Sequence, residues 1–111
     1  MSSKPAVLFQ SQAVPAAETT VYTSGTGLLT IITKLSSYNG AAGANTVTVK
    51  VVASGATPGA AHIQATRTLL AGESYGWPEI VGQMLNPGDL ISILPSAVGL
   101  NVRGSGTQAT I

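Results

Sequence analysis

The sequence predicts an all-β protein: an antiparallel β-sandwich, jelly-roll-like, of about seven or eight strands, preceded by an extended N-terminal arm. Three observations predict it. Apolar residues alternate with threonine and other polar residues over short runs, most cleanly in Thr46-Val47-Thr48-Val49-Lys50-Val51, and no stretch has helical spacing. Gly, Pro, Asn and Asp clusters punctuate these runs at intervals of about ten residues. The 111 residues suffice for one domain with a real core, and there is no cysteine to staple it.

Residues 1–17 read as the arm, and 18–111 as a single sandwich domain. Pro5 and Pro15 bracket Ala6-Val7-Leu8-Phe9. Proline is confined to strand edges and extended segments, and an apolar terminal segment needs somewhere to dock. Two placements are open: an edge strand of its own sandwich, or a seat on a neighbouring subunit.

Thr19–Thr23 is a short strand ending in glycines. Leu28–Tyr38 is the longest β run, with Leu29, Ile31, Thr33 and Leu35 on one parity and Thr30, Ile32 and Lys34 on the other. Asn39-Gly40 reads as a hairpin loop. In the strand that follows, Val47, Val49 and Val51 face in while Thr46, Thr48 and Lys50 face out. His62–Leu70 is a further strand, with Arg67 on its apolar parity, suggesting a partner such as Glu73 or Glu79.

Ala71–Leu94 collects the rare residues, including the single Trp. Gly72 turns the chain. Asn86-Pro87-Gly88-Asp89 has proline where φ is preset near −65° and glycine where φ is positive, the chemistry of a type II turn. Leu90–Leu94 is a strand. Val98–Arg103 is the last clear one, interrupted by Gly104-Ser105-Gly106.

Charge is sparse: 8% Asp, Glu, Lys and Arg, against about 25% in an average soluble domain. The surplus of apolar residues suggests a surface partly covered in an assembly. The net charge of +1 comes from cations spread along the chain, so nucleic-acid binding is not expected. No apolar run is long enough for a signal peptide or a membrane span, and a soluble protein with no membrane partner is expected.

Catalysis finds little support. His62 is the only histidine and no cysteine exists, so a nucleophile–base pair and a zinc site lack their residues. Glu73 and Glu79, with Tyr75 and Trp77 between them, are the one enzyme-like group, but a chain this small offers no deep cleft for paired carboxylates. No enzyme, cofactor or metal is expected. Tyr75 and Trp77 are read as a core cap first and a contact surface second, and they also leave a sugar-stacking reading open.

Leu28–Asn39 (LLTIITKLSSYN), Thr46–Val52 (TVTVKVV), Leu69–Tyr75 (LLAGESY) and Met84–Ile93 (MLNPGDLISI) occur in one fixed order. From about residue 18 onward this pattern resembles small β-sandwich virion proteins of tailed bacteriophages. The resemblance implies a structural protein of the virion, made in the host cytoplasm. Capsid decoration or cement is the leading reading, with the major capsid protein or other virion proteins as partners and self-association into an oligomer. A tail, collar or fibre-base component is the alternative, and a carbohydrate-binding module using Tyr75 and Trp77 is the second. The interaction surface expected from the residues is Val7, Leu8 and Phe9 of the arm with Tyr75 and Trp77.

Overall fold

The structure is a computed structural model that describes residues 3–110. It is all-β: β1 (Ser3–Val14), β2 (Thr19–Thr23), β3 (Leu28–Asn39), β4 (Asn45–Val52), β5 (Ile63–Leu69), β6 (Ser74–Tyr75), β7 (Met84–Leu85), β8 (Leu90–Pro95) and β9 (Leu100–Thr110), with one 3-10 turn at Ala60–His62. Two sheets pack face to face. The long sheet runs β1-β9-β3-β6, with β7 also on β3, and the short sheet runs β2-β8-β4-β5. Every ladder is antiparallel.

β6 and β7 pair with the same side of β3, at Ser37–Tyr38 and at Thr30–Ile31. Taken as one interrupted strand they reduce the count to eight, four per sheet. The chain then changes sheet at every connection except β4–β5, and this is the jelly-roll path, which brings distant segments into contact without any strand leaving the sandwich. The core lies between the sheets and includes Ile32, Leu35, Val47, Val49, Leu69, Trp77, Ile80, Leu85, Ile91, Ile93, Leu100 and Val102.

Residues 3–14 of the expected arm form β1, an edge strand paired with β9. Of the two open placements this is the intramolecular one. Pro5 is tolerated because an edge strand needs hydrogen bonds on one side only. Strand β9 runs unbroken through Gly104 and Gly106, contrary to the expected interruption. Both glycines face the interior, where Phe9 and Leu8 of β1 lie against them. A methyl group on Gly104 would overlap the Phe9 ring, and one on Gly106 would overlap the Ile31 carbonyl.

Bulges explain the other departures from simple alternation. A register shift between Ile32 and Lys34 makes Thr30, Ile32, Leu35 and Ser37 all point inward and leaves Ile31 outside. The even alternation expected over 28–38 fails because a bulge adds one residue and flips the parity beyond it. Val98, expected to open the last clear strand, is instead 74% exposed in the turn before β9, which begins at Leu100.

Asn39-Gly40 is not a hairpin: it is the corner at which the chain leaves the long sheet for the short one. The Asn39 side chain is fully buried, with Nδ2 within 3.0–3.1 Å of the carbonyls of Gly43, Leu69 and Leu70 and Oδ1 accepting from Ala41 N at 3.1 Å. Asn45 does the same for the β8–β9 loop, donating to Ala97 O at 2.9 Å and accepting from the amides of Ser96 and Ala97. A buried amide of this kind satisfies loop carbonyls and amides that water cannot reach.

The type II turn at Asn86–Asp89 forms as expected, with Gly88 at φ 86° and Asp89 N bonded to Asn86 O at 3.0 Å. Leu70–Glu73 has the same form, with Gly72 at φ 76° and Glu73 N bonded to Leu70 O at 3.0 Å. In each, the closing acid reaches back to the first amide: Asp89 accepts from Asn86 N at 2.9 Å and Glu73 from Leu70 N at 2.8 Å.

Candidate functional site

The two outer faces differ in chemistry. The short sheet presents Thr46, Thr48, Thr66 and Thr68, with Thr46 and Thr68 hydroxyls 3.0 Å apart and Thr66 and Thr48 3.4 Å apart. Such hydroxyl pairs across strands suit a solvated sheet surface. Lys50 lies on this face but is only 7% exposed, because Glu18 folds over it. Glu18 pairs with Lys50 through one carboxylate oxygen and accepts from Ser92 Oγ at 2.6 Å through the other. The expectation of Lys50 facing out thus holds in direction but not in exposure.

Desolvation at this surface pushes the Glu18 carboxyl upward. The hydrogen bonds from Lys50 and Ser92, with the Lys50 charge, outweigh it and hold the pKa below its ordinary 4.5. The folded-state pKa is therefore lower than that of the unfolded chain. The carboxylate adds stability that is fully present above pH 4.5 and is lost as the pH falls through the lowered value. Glu18→Gln is expected to lose about 1–2 kcal/mol at neutral pH, since it leaves Lys50 covered without its counter-charge. Urea titrations should show the wild-type advantage over the variant shrinking on acidification below that point. A constant difference from neutral to strongly acid pH would exclude this pairing as its source.

The long sheet's outer face is divided along its length. Register places Pro5, Thr107, Ile31 and Met84 in one row across four strands. Leu29 and Ala109 lie in the row on one side, and Val7, Ser105 and Lys34 in the row on the other. Ile31, Met84 and Val7 are 38%, 53% and 46% exposed. This end is apolar up to Lys34. The opposite end is polar: Ser36 faces Arg103 and Tyr38 faces Asn101. There Ser11, Ser36, Tyr38, Ser74, Asn101 and Arg103 line an open groove of about 370 Å³.

The expected surface residues fall in different places. Val7 is exposed on the outer face of β1, whereas Leu8 is half-buried against the core and Phe9 is buried on Gly104. Trp77 is 1% exposed, so it is not a contact residue. Its Nε1 donates to Ser37 Oγ at 2.7 Å, and its ring meets that of Tyr75 edge-on at 5.0 Å and 77°. The sugar-stacking platform expected of the pair is therefore absent, because one ring is inside and the two are nearly perpendicular. The core-cap reading describes Trp77.

Tyr75 is half-buried at the rim where the two sheets meet. Arg67 of β5 sits 4.2 Å over its ring, in place of the carboxylate expected as its partner. Glu79 instead accepts the Tyr75 hydroxyl, 3.0 and 3.1 Å from its two oxygens. Desolvation, with the Glu79 hydrogen bond and charge, raises the Tyr75 phenol above its ordinary value, and Arg67 opposes this. The enzyme-like group is dispersed: Glu79 serves Tyr75 and Glu73 serves its own turn. His62 Nδ1 accepts from Gly59 N at 3.1 Å, which closes its local turn. Among the described residues no group of three or more His, Asp or Glu side chains is placed to hold a metal ion, and no helix is long and apolar enough to cross a membrane.

Sequence reasoning missed both ends of this outer face. Once the bulge at Thr33 is known, alternation alone assigns Ile31 outward before it and Ser36 and Tyr38 outward after it. Without the bulge the parities are misassigned.

Fold and surface together define a jelly-roll sandwich whose long sheet carries an apolar end and a hydroxyl-rich basic end. No protein-family model matches the chain, and no curated protein sequence matches it. A solved structure from Bacillus endospore appendages, described as a novel family of disulfide-linked pili, is similar with a TM-score of 0.57 at 13% identity, covering 99% of this chain and 88% of that one. At that identity the likeness is one of fold.

Proposed function

We propose that the protein is a non-enzymatic structural subunit working in many copies, with capsid decoration or cement of a tailed phage as the leading role. The observation that carries this reading is the uncharged row Pro5, Thr107, Ile31 and Met84 across four strands of the long sheet's outer face. Burying exposed apolar area stabilises contact by roughly 25 cal/mol per Å² removed from water, and a charge-free centre avoids desolvation costs. The resemblance to phage virion proteins supplies the setting, in which the apolar end would seat on the major capsid protein or other shell subunits. Tail, collar or fibre base is the alternative position.

A second reading has one specific support, the fold likeness to a pilus protein. In it, copies of this chain polymerise. With no cysteine, such a polymer would be held by non-covalent contact alone.

The test pairs wild-type protein with Ile31→Lys/Met84→Glu, which places opposite charges across this strand pair. Both positions are exposed, so the variant is expected to keep the wild-type melting curve. Wild-type protein is expected to associate in sedimentation velocity and to bind phage particles lacking it, and the variant to do neither. Label spread over the shell supports decoration, label at one vertex or along the tube supports the tail position, and filaments of the protein alone support polymerisation. A wild-type protein that stays monomeric and never co-sediments with particles would overturn the structural reading.

A further inference from the structure

The polar end of the long sheet's outer face has a different chemistry, and we propose that it is a binding site for a carboxylated oligosaccharide. The groove of about 370 Å³ beside Tyr38 continues past Ser36 and Arg103 into a second hollow of about 330 Å³ that reaches Lys34 and Ser105. Both hollows are open to solvent along the sheet face. From Lys34 to Tyr38 the track follows four residues of one strand, roughly 13 Å. It therefore suits a short chain better than a single inorganic ion.

The charge balance calls for an anion from outside. The chain has five cations and four acids. All four acids are engaged at home: Glu18 with Lys50 and Ser92, Glu73 with Leu70 N, Glu79 with Tyr75, and Asp89 with Asn86 N and Ser54 N. Among the described residues the Lys50–Glu18 pair is the only salt bridge, which leaves Lys34 and Arg103 on neighbouring strands without a counter-ion. Arg103 offers the planar fork that binds a carboxylate through two parallel hydrogen bonds.

The rest of the lining selects a sugar. Tyr38 is 48% exposed, and its ring lies against Gly40, where a side chain would touch it. That leaves an exposed aromatic surface for the C–H face of a pyranose. The hydroxyls of Ser11, Ser36 and Ser74 form no hydrogen bond among the described residues. Asn101 makes only a long one, 3.4 Å to Gly99 O, which uses its amide nitrogen and leaves its oxygen free. These groups match the hydroxyls of a saccharide. An acidic peptide fits less well over the middle of the groove, because the backbone groups of β9 and β3 beneath it are already paired.

The Tyr38 end of the site lies away from the apolar row and its Lys34 end adjoins that row, so the titration is run both on wild-type protein and on the Ile31→Lys/Met84→Glu variant, which keeps it independent of whether copies assemble. ¹⁵N-labelled protein is titrated with short oligogalacturonates, oligoglucuronates and sialylated oligosaccharides, with neutral galacto-oligosaccharides and with polyglutamate. At least one carboxylated sugar is expected to shift the amides of Ser36, Tyr38, Asn101 and Arg103, and added salt to weaken it. Arg103→Gln and Tyr38→Ala are each expected to weaken binding about tenfold or more, with unchanged melting curves because both side chains are on the surface. The proposal fails if no carboxylated sugar shifts these amides, if neutral sugars bind as tightly, or if Arg103→Gln binds like wild type. Tighter binding of polyglutamate would assign the groove to acidic peptides and overturn it as well.

Discussion

Trp77→Ala is expected to destabilise the protein by about 3–5 kcal/mol, the largest loss from any single side chain. Residues 76–83 leave the edge of β3 between β6 and β7 and turn inward. They are held by Gly82 N to Ile32 O at 2.7 Å and Ile32 N to Gln83 O at 3.0 Å. The loop thereby delivers Trp77 and Ile80 into the open side of the sandwich, both essentially unexposed. The indole also ties Ser37 and Tyr75 together, since Ser37 Oγ accepts from Trp77 Nε1 and donates to Tyr75 O at 3.1 Å. Truncation to alanine leaves a cavity between two sheets whose hydrogen-bonded strands cannot collapse into it.

Trp77 also stands at φ 44°, the one non-glycine residue with positive φ among those described. That backbone costs a residue with a Cβ about 1–2 kcal/mol, so burial of the indole holds a strained turn in place. Alanine loses the indole and keeps the strain, while glycine loses the indole and the strain together. Trp77→Gly is therefore expected to be at least as stable as Trp77→Ala, the reverse of the usual order of these residues within strands. Urea denaturation of the three proteins decides it. If Trp77→Ala unfolds with the wild-type midpoint, the indole is not the plug described here.

Gly106→Ala is expected to be the second most damaging change, at about 3 kcal/mol, and Gly104→Ala to follow at about 2 kcal/mol. The two differ in what they strike. The obstacle at Gly104 is a side chain, the ring of Phe9, whereas at Gly106 it is the carbonyl of Ile31 in the adjacent strand. A side chain can be trimmed and a backbone cannot. In a Phe9→Leu background Gly104→Ala should cost at least about 1 kcal/mol less than alone, while Leu8→Ala should leave the cost of Gly106→Ala unchanged. Equal costs in both backgrounds would mean that Phe9 does not pack on Gly104 and that β1 is not the strand seated there.

Much of the fold was legible because it is encoded locally. The alternation in Thr46–Val52 places Val47 and Val49 inside whatever the partner strand is. Asn86-Pro87-Gly88-Asp89 closes its turn from residues adjacent in sequence, with Gly88 supplying the positive φ. The Gly104-Ser105-Gly106 stretch was misleading for a related reason. Glycine usually marks a break, and its other meaning, room for a side chain from the far end of the chain, appears only when Phe9 and Leu8 arrive.

The candidate surfaces were less legible. Phe9 and Trp77 are rare, large residues in segments rich in turn formers, and composition alone does not say whether such a ring points in or out. Ile31 and Tyr38 are ordinary members of a β run, and a single bulge between them reverses the parity that would have marked both as outward.

By itself the sequence determined the class of the protein: β-strands with an inward parity such as Val47 and Val49, and a type II turn at Asn86–Asp89. Each of these follows from the chemistry of neighbouring residues. Tertiary structure alone decided that residues 3–14 are an edge strand, that Trp77 plugs the core, that Glu18 covers Lys50, and that Lys34 and Arg103 stand on one face. These depend on pairings across most of the chain length, such as β1 with β9, and on which side chain reaches a shared space first. No local pattern carries that information, because burial and pairing belong to two segments at once.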